Sequence, residues 1–305
     1  MRITLSDFED GRSVCRSRLS VVDPNGQAAL LLSGGIDSVT VLFSMLSTGR
    51  KPDCFTFAMD GNDSADLRSS VSLCRKFGLK HHVVRIPALL ESILEDTRWT
   101  ISNIDWTRTT DIKKTIVQCV HPFRHVGPVL PPLTLCGLGG DSFYLTRRQE
   151  RMAARDLGDA AVSKWRRSFA SDPDYSDFHI MDTCRRAHGK TIVDFYDDSV
   201  GWTAWIRRFP LSATHRPIEK YASVGLWPDY WSQGKFLRQQ SSFQVNSGLR
   251  DRHDLLLKGT PHKAIIALYR QMARDLGVCI GGNLPRRDPD GRLLDDRGYV
   301  IGEPS

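Results

Sequence analysis

Two features that would place a protein in or beyond a membrane are missing from this sequence of 305 residues. No run approaches the roughly 18 consecutive apolar residues that a membrane-spanning helix needs. The first residues, 1–7, lack the apolar centre of a secretion signal. We therefore expect a cytoplasmic protein that has no membrane partner.

Paired cysteines are also absent, because no two of the seven cysteines stand in a C-x-x-C arrangement. This scatter argues against a zinc ribbon, a cysteine-ligated iron–sulfur site and a disulfide framework. Most of the cysteines lie in apolar segments, where a free thiol behaves as a small core side chain. The cysteines are Cys15, Cys54, Cys74, Cys119, Cys136, Cys184 and Cys279.

A strong excess of one charge is missing too, since the net charge is only +7 and is spread along the chain. Residues 145–168 concentrate it most, with seven Arg or Lys against three acidic residues. Such a run is usually the solvated face of a helix, and a grip on an anionic peptide or polynucleotide is the alternative. Composition therefore leaves a nucleic-acid partner open without favouring it.

The most informative stretch is a buried-strand pattern that breaks into a glycine turn. Residues 28–32 are apolar, Ser33–Gly35 form the turn, and helical periodicity begins at Asp37. A helix start presents backbone N–H groups and the positive end of the helix dipole, and glycines let a phosphate approach closely. No lysine follows as in the common nucleotide loop, so the turn predicts a different kind of anion site. The alternative is a tight turn in which Asp37 and Ser38 only cap the helix.

Strand and helix patterns alternate after this turn. Strand patterns at residues 53–59 and 81–86 flank a helix that Ser64 caps and Gly78 ends. The alternation predicts an α/β fold: a parallel doubly wound sheet of about five strands with a mostly helical C-terminal half. Ligands of such sheets bind at the carboxyl ends of the strands, which is where the glycine turn falls.

The chain is predicted to divide into three parts. A leader of residues 1–26 precedes an ATP-binding domain of residues 27–275, and residues 276–305 form a tail. Within the domain, residues 27–145 are expected to form the nucleotide-binding sheet and residues 146–275 the helical part.

Two glycine loops and three later segments resemble a known family. Ser33–Ser38 matches the Ser-Gly-Gly-x-Asp-Ser signature of the PP-loop ATP pyrophosphatases, which cut ATP between its α and β phosphates. Cys136–Ser142 stands where the asparagine synthetase family carries Ser-Gly-Glu-Gly-x-Asp-Glu. Segments similar to that family follow in order at Arg216–Ile218, Gly234–Arg238 and Arg252–Gly259. The chain thus resembles the synthetase domain of the asparagine synthetase family, a relative of the β-lactam synthetases and lasso-peptide cyclases, and the resemblance implies an adenine nucleotide α-hydrolase-like fold.

The resemblance implies that residues of the two loops and of the second strand bind ATP. The residues that would hold its β and γ phosphates are Ser33, Gly34, Gly35 and Ser38. The residues that would line its adenine and ribose are Leu32, Met59 and Gly137. The ordinary alternative for Met59 is a plain core side chain.

The resemblance also implies a bound Mg²⁺ and a catalytic pair. Asp37 and Asp141 would be its ligands, and carboxylate and phosphate oxygens suit this hard cation. Lys258 and Asp141 would be catalytic, with the ammonium of Lys258 stabilising charge at the α phosphate or at a later tetrahedral carbon. The ordinary alternatives are a helix cap for Asp141 and a surface position for Lys258. The implied enzyme adenylates a carboxylate, releases pyrophosphate and forms an amide with ammonia or an amine.

Two departures from the family bear on that activity. Leu138 replaces the glutamate that the family uses when the amine attacks, and leucine cannot accept a proton. Asp105 or Asp111 would then supply the base, the nucleophile would arrive differently, or no amide would form. Too few residues precede the first loop for the family's glutaminase domain, so we expect nitrogen from glutamine to require a separate partner protein.

The sequence is compatible with two other functions. The first is a PP-loop transferase that modifies a nucleotide or a base of tRNA, which the basic segment 145–168 favours and the missing C-x-x-C pair opposes. The second is an ATP-binding subunit of a larger assembly without catalysis, which Leu138 favours. Release of AMP and pyrophosphate in the presence of carboxylates or of RNA distinguishes the three.

Overall fold

The computed structural model describes a large part of the chain, and the structural statements below concern that part. The described residues are 3–103, 121–140, 187–196, 201–206, 208–210, 213, 220–233 and 271–277, together with the backbone of 286–287, 293–294 and 300–302.

A five-stranded parallel sheet forms the centre of the molecule. Its strands are β1 (Ala29–Leu31), β2 (Cys54–Met59), β3 (His81–Ile86), β4 (Leu133–Cys136) and β5 (Thr191–Asp194). Their order across the sheet is β3-β2-β1-β4-β5, and every pair is parallel. The predicted α/β fold with a parallel sheet of about five strands is therefore confirmed.

Helices connect and cover the strands. They are α1 (Leu5–Val22), α2 (Ile36–Ser47), α3 (Ala65–Phe77), α4 (Leu90–Asn103), α5 (His121–Val126), α6 (Trp202–Ile206), α7 (Tyr221–Leu226) and α8 (Pro228–Trp231). The hydroxyl of Ser64 accepts a hydrogen bond of 3.0 Å from the Leu67 N–H at the start of α3, and Gly78 ends this helix at φ +61°. Both signals had been predicted from the sequence.

Alternating residues of β1 face two separate apolar clusters, because side chains alternate across a strand. Leu30 belongs to the cluster that includes residues of α1, α2, α3 and α6–α8. Ala29 and Leu31 belong to a second cluster that includes residues of α4 and α5. All three residues are buried, as expected of a central strand covered on both faces.

The helix α1 lies within the segment predicted to be a leader and packs into the larger cluster. Phe8, Cys15 and Leu19 on one of its faces are buried there, and burial raises the pKa of the Cys15 thiol to about 12. Gly11 lies so close to α6 and α7 that a Cβ would come within 2.6 Å of Trp205 and of Leu226. The boundary between leader and domain stays a prediction.

Replacing Gly11 by alanine is expected to destabilise the protein by about 1 to 3 kcal/mol, the usual cost of overpacking a core. Intrinsic helix propensity alone would give the opposite sign, because alanine favours a helix over glycine by roughly 1 kcal/mol. Urea unfolding measures the difference, with Ser13→Ala on the exposed side of α1 as the control. An unchanged or raised midpoint for Gly11→Ala would contradict the tight contact of α1 with Trp205.

The described residues also bear on membrane-spanning helices, on the cysteines and on the predicted tail. No helix among the described residues is long and apolar enough to cross a membrane. Cys15, Cys54, Cys74 and Cys136 are buried and form no disulfide with one another, in line with the predicted core role of the cysteines. Within the predicted tail, β6 (Arg286–Arg287), β7 (Leu293–Leu294) and β8 (Val300–Gly302) form a short antiparallel sheet.

The connection from β1 to α2 leaves the sheet at its topological switch point. From β1, the chain proceeds to β2 and β3 on one side, whereas β4 and β5 extend the sheet on the other side. The loops that follow β1 and β4 therefore start next to each other at the carboxyl edge of the sheet. In open α/β sheets this crevice is the usual position of a ligand.

Candidate nucleotide-binding site

The glycine turn brings an open helix N-terminus to this crevice. Gly34 has φ +76°, and a Cβ on it would lie 2.5 Å from the Cβ of Ser69, so both conformation and space require glycine. Gly35 is the N-cap of α2, and no side chain caps the helix there. The first helical bond runs from the Val39 N–H to the Gly35 carbonyl at 3.0 Å. The preceding N–H groups of α2 therefore have no acceptor within the helix, which is what an anion site requires.

Two serine hydroxyls brace the turn from inside. The Ser33 and Ser38 hydroxyls lie 3.0 Å apart, and the Ser33 N–H donates to the Ser38 hydroxyl at 3.2 Å. The Gly35 N–H donates to the Ser33 hydroxyl at 3.3 Å, and the Ser38 hydroxyl donates to the Gly35 carbonyl at 3.1 Å. Three of the four residues predicted to hold phosphates, Ser33, Gly35 and Ser38, are thus linked by hydrogen bonds. Their phosphate binding stays a prediction.

The second glycine loop packs directly against the first turn of α2. A Cβ on Gly137 would lie 2.6 Å from the backbone nitrogen of Ser38, and a Cβ on Gly140 would lie 2.5 Å from the Cγ of Asp37. Glycine at both positions is therefore explained by the close approach of the two loops. Asp141, the next residue in the sequence, and Lys258 both lie outside the described residues.

Asp37 is held by two residues that the sequence analysis did not identify. The ammonium of Lys220 donates to its carboxylate Oδ2 at 2.5 Å, and the hydroxyl of Tyr196 donates to its backbone carbonyl at 3.2 Å. Lys220 is 1 % exposed and Tyr196 is equally buried. These partners are separated from Asp37 by 183 and 159 residues, so no local sequence signal could have identified them.

A pocket opens beside the turn, between β1, β2 and the start of α3. Its lining residues are Leu31, Leu32, Ser33, Phe55, Thr56, Phe57 and Asp66. Leu32, predicted to contact adenine, is among them. Met59, predicted for the same purpose, is 2 % exposed and packs with Ile86 at the end of β2. Its contact with a nucleotide stays a prediction.

Hydrogen bonds connect two residues that line this pocket, Leu32 and Thr56, to His81 on β3. The Thr56 hydroxyl donates to the Leu32 carbonyl at 2.6 Å and lies 2.9 Å from Nε2 of His81. Because the one hydroxyl proton is used, Nε2 of His81 carries a proton and donates to Thr56. Burial, and then the charge of His82, lowers the pKa of His81 and favours the neutral ring.

Lowering the pH from about 7.5 to about 5.5 is expected to reduce the free energy of unfolding partly through His81. Its pKa is lower in the folded protein than in the unfolded chain, so the unfolded chain takes up the proton first as the pH falls below about 6.5. Urea unfolding at both pH values should show a smaller loss for His81→Gln than for the wild type. The comparison needs His188→Gln as a reference, because burial also lowers the pKa of His188. Equal losses in wild type and His81→Gln would contradict this role.

The described residues fit Mg²⁺ only in combination with a nucleotide. No group of three or more His, Cys, Asp or Glu side chains that could hold a metal occurs among them. Asp37 supplies one carboxylate next to the helix N-terminus, and Mg²⁺ commonly takes one or two carboxylates together with phosphate oxygens of a substrate. The donor set therefore suits a magnesium–nucleotide complex.

Leu138, the departure from the family pattern, is partly buried and packs against the cluster on the α4 and α5 side of the sheet. It contributes apolar contacts to the second loop and no group that can transfer a proton. Asp105 and Asp111, the predicted replacements, lie outside the described residues.

Comparisons with known proteins give one partial family match. Residues 27–124, about a third of the chain, match the model of the family described as queuosine biosynthesis protein QueC. A search of curated proteins found no match. One similar solved structure is the U34-tRNA thiolase NcsA from Methanococcus maripaludis with its [4Fe-4S] cluster, at 14 % identity and a TM-score of 0.35, covering 88 % of this chain and 79 % of that one. A likeness at this level carries no functional inference.

The family match bears on the resemblance stated from the sequence. QueC belongs to the PP-loop ATP pyrophosphatase superfamily, and its match covers the strand, turn and helix that contain Ser33–Ser38. Nothing in the comparisons supports the asparagine synthetase family in particular. The findings therefore support the PP-loop ATP pyrophosphatase superfamily for this chain, with its glycine turn at residues 33–38.

Proposed function

We propose that this chain is a Mg-ATP-dependent enzyme that cleaves ATP between its α and β phosphates and transfers the adenylyl group to a substrate. The observation that carries the proposal is the braced turn Ser33–Ser38, which opens the N-terminus of α2 at the switch point of the sheet. Binding the outer two phosphates there leaves the α phosphate as the group that a substrate attacks.

The residues of the turn have distinct tasks in this mechanism. The first N–H groups of α2 and the helix dipole favour the negative charge of the β and γ phosphates. The hydroxyls of Ser33 and Ser38 fix the turn before ATP arrives, so little reorganisation is needed. Asp37 and Asp141 would hold Mg²⁺, which when bound neutralises phosphate charge and orients the triphosphate.

Transfer of the adenylyl group requires only ATP and the substrate. An oxygen of the substrate forms a bond to the α phosphorus, and the bond from this phosphorus to the bridging oxygen breaks. Pyrophosphate leaves with the electron pair, the ring N–H proton of a nucleobase substrate goes to water, and the substrate oxygen becomes a good leaving group. Lys258 would stabilise the developing negative charge.

We infer that the substrate is a nucleotide or a base in RNA, and that a sulfide-level sulfur donor or an amine then attacks the adenylated position and displaces AMP. The match of residues 27–124 to a family named for queuosine biosynthesis supports this substrate class. Leu138 weighs against the asparagine-synthetase-like alternative, because the proton-transferring glutamate of that family is missing there.

Amide formation from a carboxylate is the second candidate. The specific observation in its favour is the order of the segments around Arg216, Lys235 and Lys258, which follows the asparagine synthetase family. This candidate needs an amine donor, or a separate glutaminase, together with a base other than Leu138.

The test is a product analysis with ATP labelled at the α phosphate. The protein and Mg²⁺ are incubated with RNA, with nucleosides and with a panel of carboxylates, and AMP and pyrophosphate are measured. Stimulation by RNA or nucleosides supports the first substrate class, and stimulation by carboxylates supports amide ligation. Production of ADP instead of AMP would contradict cleavage between the α and β phosphates, and binding without turnover would indicate a non-catalytic subunit.

A further inference from the structure

Lys220 carries a buried positive charge to the start of α2. The residue is 1 % exposed, and its ammonium lies 2.5 Å from Oδ2 of Asp37, whose side chain is 19 % exposed. Lys220 also adopts φ +53°, a left-handed conformation that is uncommon for a residue other than glycine. Lys220 thus combines a strained backbone with a buried ammonium that contacts the carboxylate of Asp37, and this combination indicates a role other than packing.

The backbone around Lys220 is fixed by packing, so only its side chain is expected to move. Its carbonyl accepts the first hydrogen bonds of α7, from the N–H groups of Ser223 and Val224. Further along the same segment, Gly225 lies so close to Phe8 that a Cβ would come within 2.1 Å of that ring. The four-carbon stem of lysine can nevertheless carry its ammonium several ångströms without displacing the helix.

The carboxylate that pairs with Lys220 is also the proposed ligand of Mg²⁺. Two cations at one carboxylate repel each other, and this repulsion is strong where water is largely excluded. A nucleotide changes the balance, because its triphosphate brings more negative charge than one Mg²⁺ neutralises. The ammonium then has a new anionic partner within the same site.

We propose that Lys220 is an internal counter-ion, which holds Asp37 in the nucleotide-free protein, yields this carboxylate to Mg²⁺ when Mg-ATP binds and then pairs with a phosphate oxygen. The inference rests on the proposed function, since it assumes that Mg-ATP binds at the turn. It gives Lys220 two opposite effects: it weakens the binding of a divalent cation alone and strengthens the binding of the cation together with nucleotide. A merely structural lysine would not change these two affinities in opposite directions.

The test measures both affinities in the full-length protein. Mn²⁺ binding is titrated by its electron paramagnetic resonance signal without nucleotide, and the binding of Mg²⁺ with α,β-methylene ATP, which resists cleavage at that bond, is measured by calorimetry. For Lys220→Met we expect Mn²⁺ alone to bind at least about fivefold more tightly and the magnesium–analogue complex at least about tenfold more weakly. Lys80→Met is the control, because the Lys80 ammonium pairs with Asp53 in an exposed position, and it should change neither affinity.

The outcomes separate this inference from the proposed function. If the wild type binds the magnesium–analogue complex and Lys220→Met changes both affinities in the same direction or neither of them, the counter-ion role is wrong. If the wild type does not bind the complex, the proposed function fails first. Lys220→Gln, which keeps a hydrogen-bond donor without the charge, is titrated in parallel and decides the matter if the methionine variant does not fold.

Discussion

Replacing Gly34 by alanine is expected to weaken ATP binding by about 100-fold or more, because the turn that would hold the phosphates can no longer keep its shape. Alanine at φ +76° is strained, and its Cβ would lie 2.5 Å from the Cβ of Ser69 and 3.2 Å from the carbonyl oxygen of Asp66. Neither atom is the far end of a flexible side chain, so the backbone of the turn must shift. Calorimetry with α,β-methylene ATP and Mg²⁺ measures the loss.

Gly49→Ala is a matched control for this variant. Gly49 has nearly the same φ, +78°, and no atom lies within 4 Å of the position of its Cβ. It therefore carries the backbone strain of a left-handed alanine without the collision, and it lies after α2, away from the turn. Gly49→Ala should bind the analogue as the wild type does. Affinity within about twofold of the wild type for Gly34→Ala would show that residues 33–38 do not hold the phosphates.

The parts of the fold that the sequence predicted are those with local causes. The strand Cys54–Met59 and the helix between Ser64 and Gly78 depend on apolar patterning and on capping residues, which act within a few positions. The helix α1 was missed because most of its residues are polar, and only a narrow stripe that includes Phe8 and Leu19 packs into the core. With so few apolar residues on one face, the helical periodicity of the sequence is weak.

The candidate site also contains residues that the sequence predicts from local patterns and residues that it does not. The turn around Gly34 has a local signature, because its conformation depends on residue types that stand next to each other. The partners of Asp37 have none, since Tyr196 follows β5 and Lys220 stands just before α7, both more than 150 residues further along the chain. Ion pairs between distant segments follow from the folded topology, and a single sequence does not contain that topology explicitly.

Replacing Asp37 by alanine is expected to lower the rate of AMP formation by about 1,000-fold or more, since a proposed magnesium ligand in the first turn of α2 is lost. The same substitution leaves the buried ammonium of Lys220 without the carboxylate that it contacts at 2.5 Å. Breaking a buried ion pair on one side costs about 3 to 5 kcal/mol of stability. Loss of activity in the single variant would therefore have two explanations, a missing ligand or a destabilised fold.

The double variant Asp37→Ala with Lys220→Met separates these explanations. Removing both charges eliminates the buried ammonium that has lost the Asp37 carboxylate, so the free energy of unfolding should recover most of the loss. AMP formation should remain as low as in the single variant, because no carboxylate is restored. Urea unfolding and the assay with ATP labelled at the α phosphate measure the two quantities on the same samples.

Asp53→Ala controls for the loss of an ion-paired carboxylate elsewhere on the sheet. Asp53 precedes β2 at the amino end of that strand, where it pairs with Lys80 at 3.1 Å and with His82 at 3.2 Å. The hydrogen bond from Lys80 is the main reason that the pKa of Asp53 is lowered. The Asp53 side chain is nevertheless 40 % exposed, and ion pairs in exposed positions contribute little to stability. Asp53→Ala should therefore retain full activity. If instead the Asp37 and Lys220 double variant regains AMP formation together with its stability, Asp37 serves the fold and some other residue holds the metal.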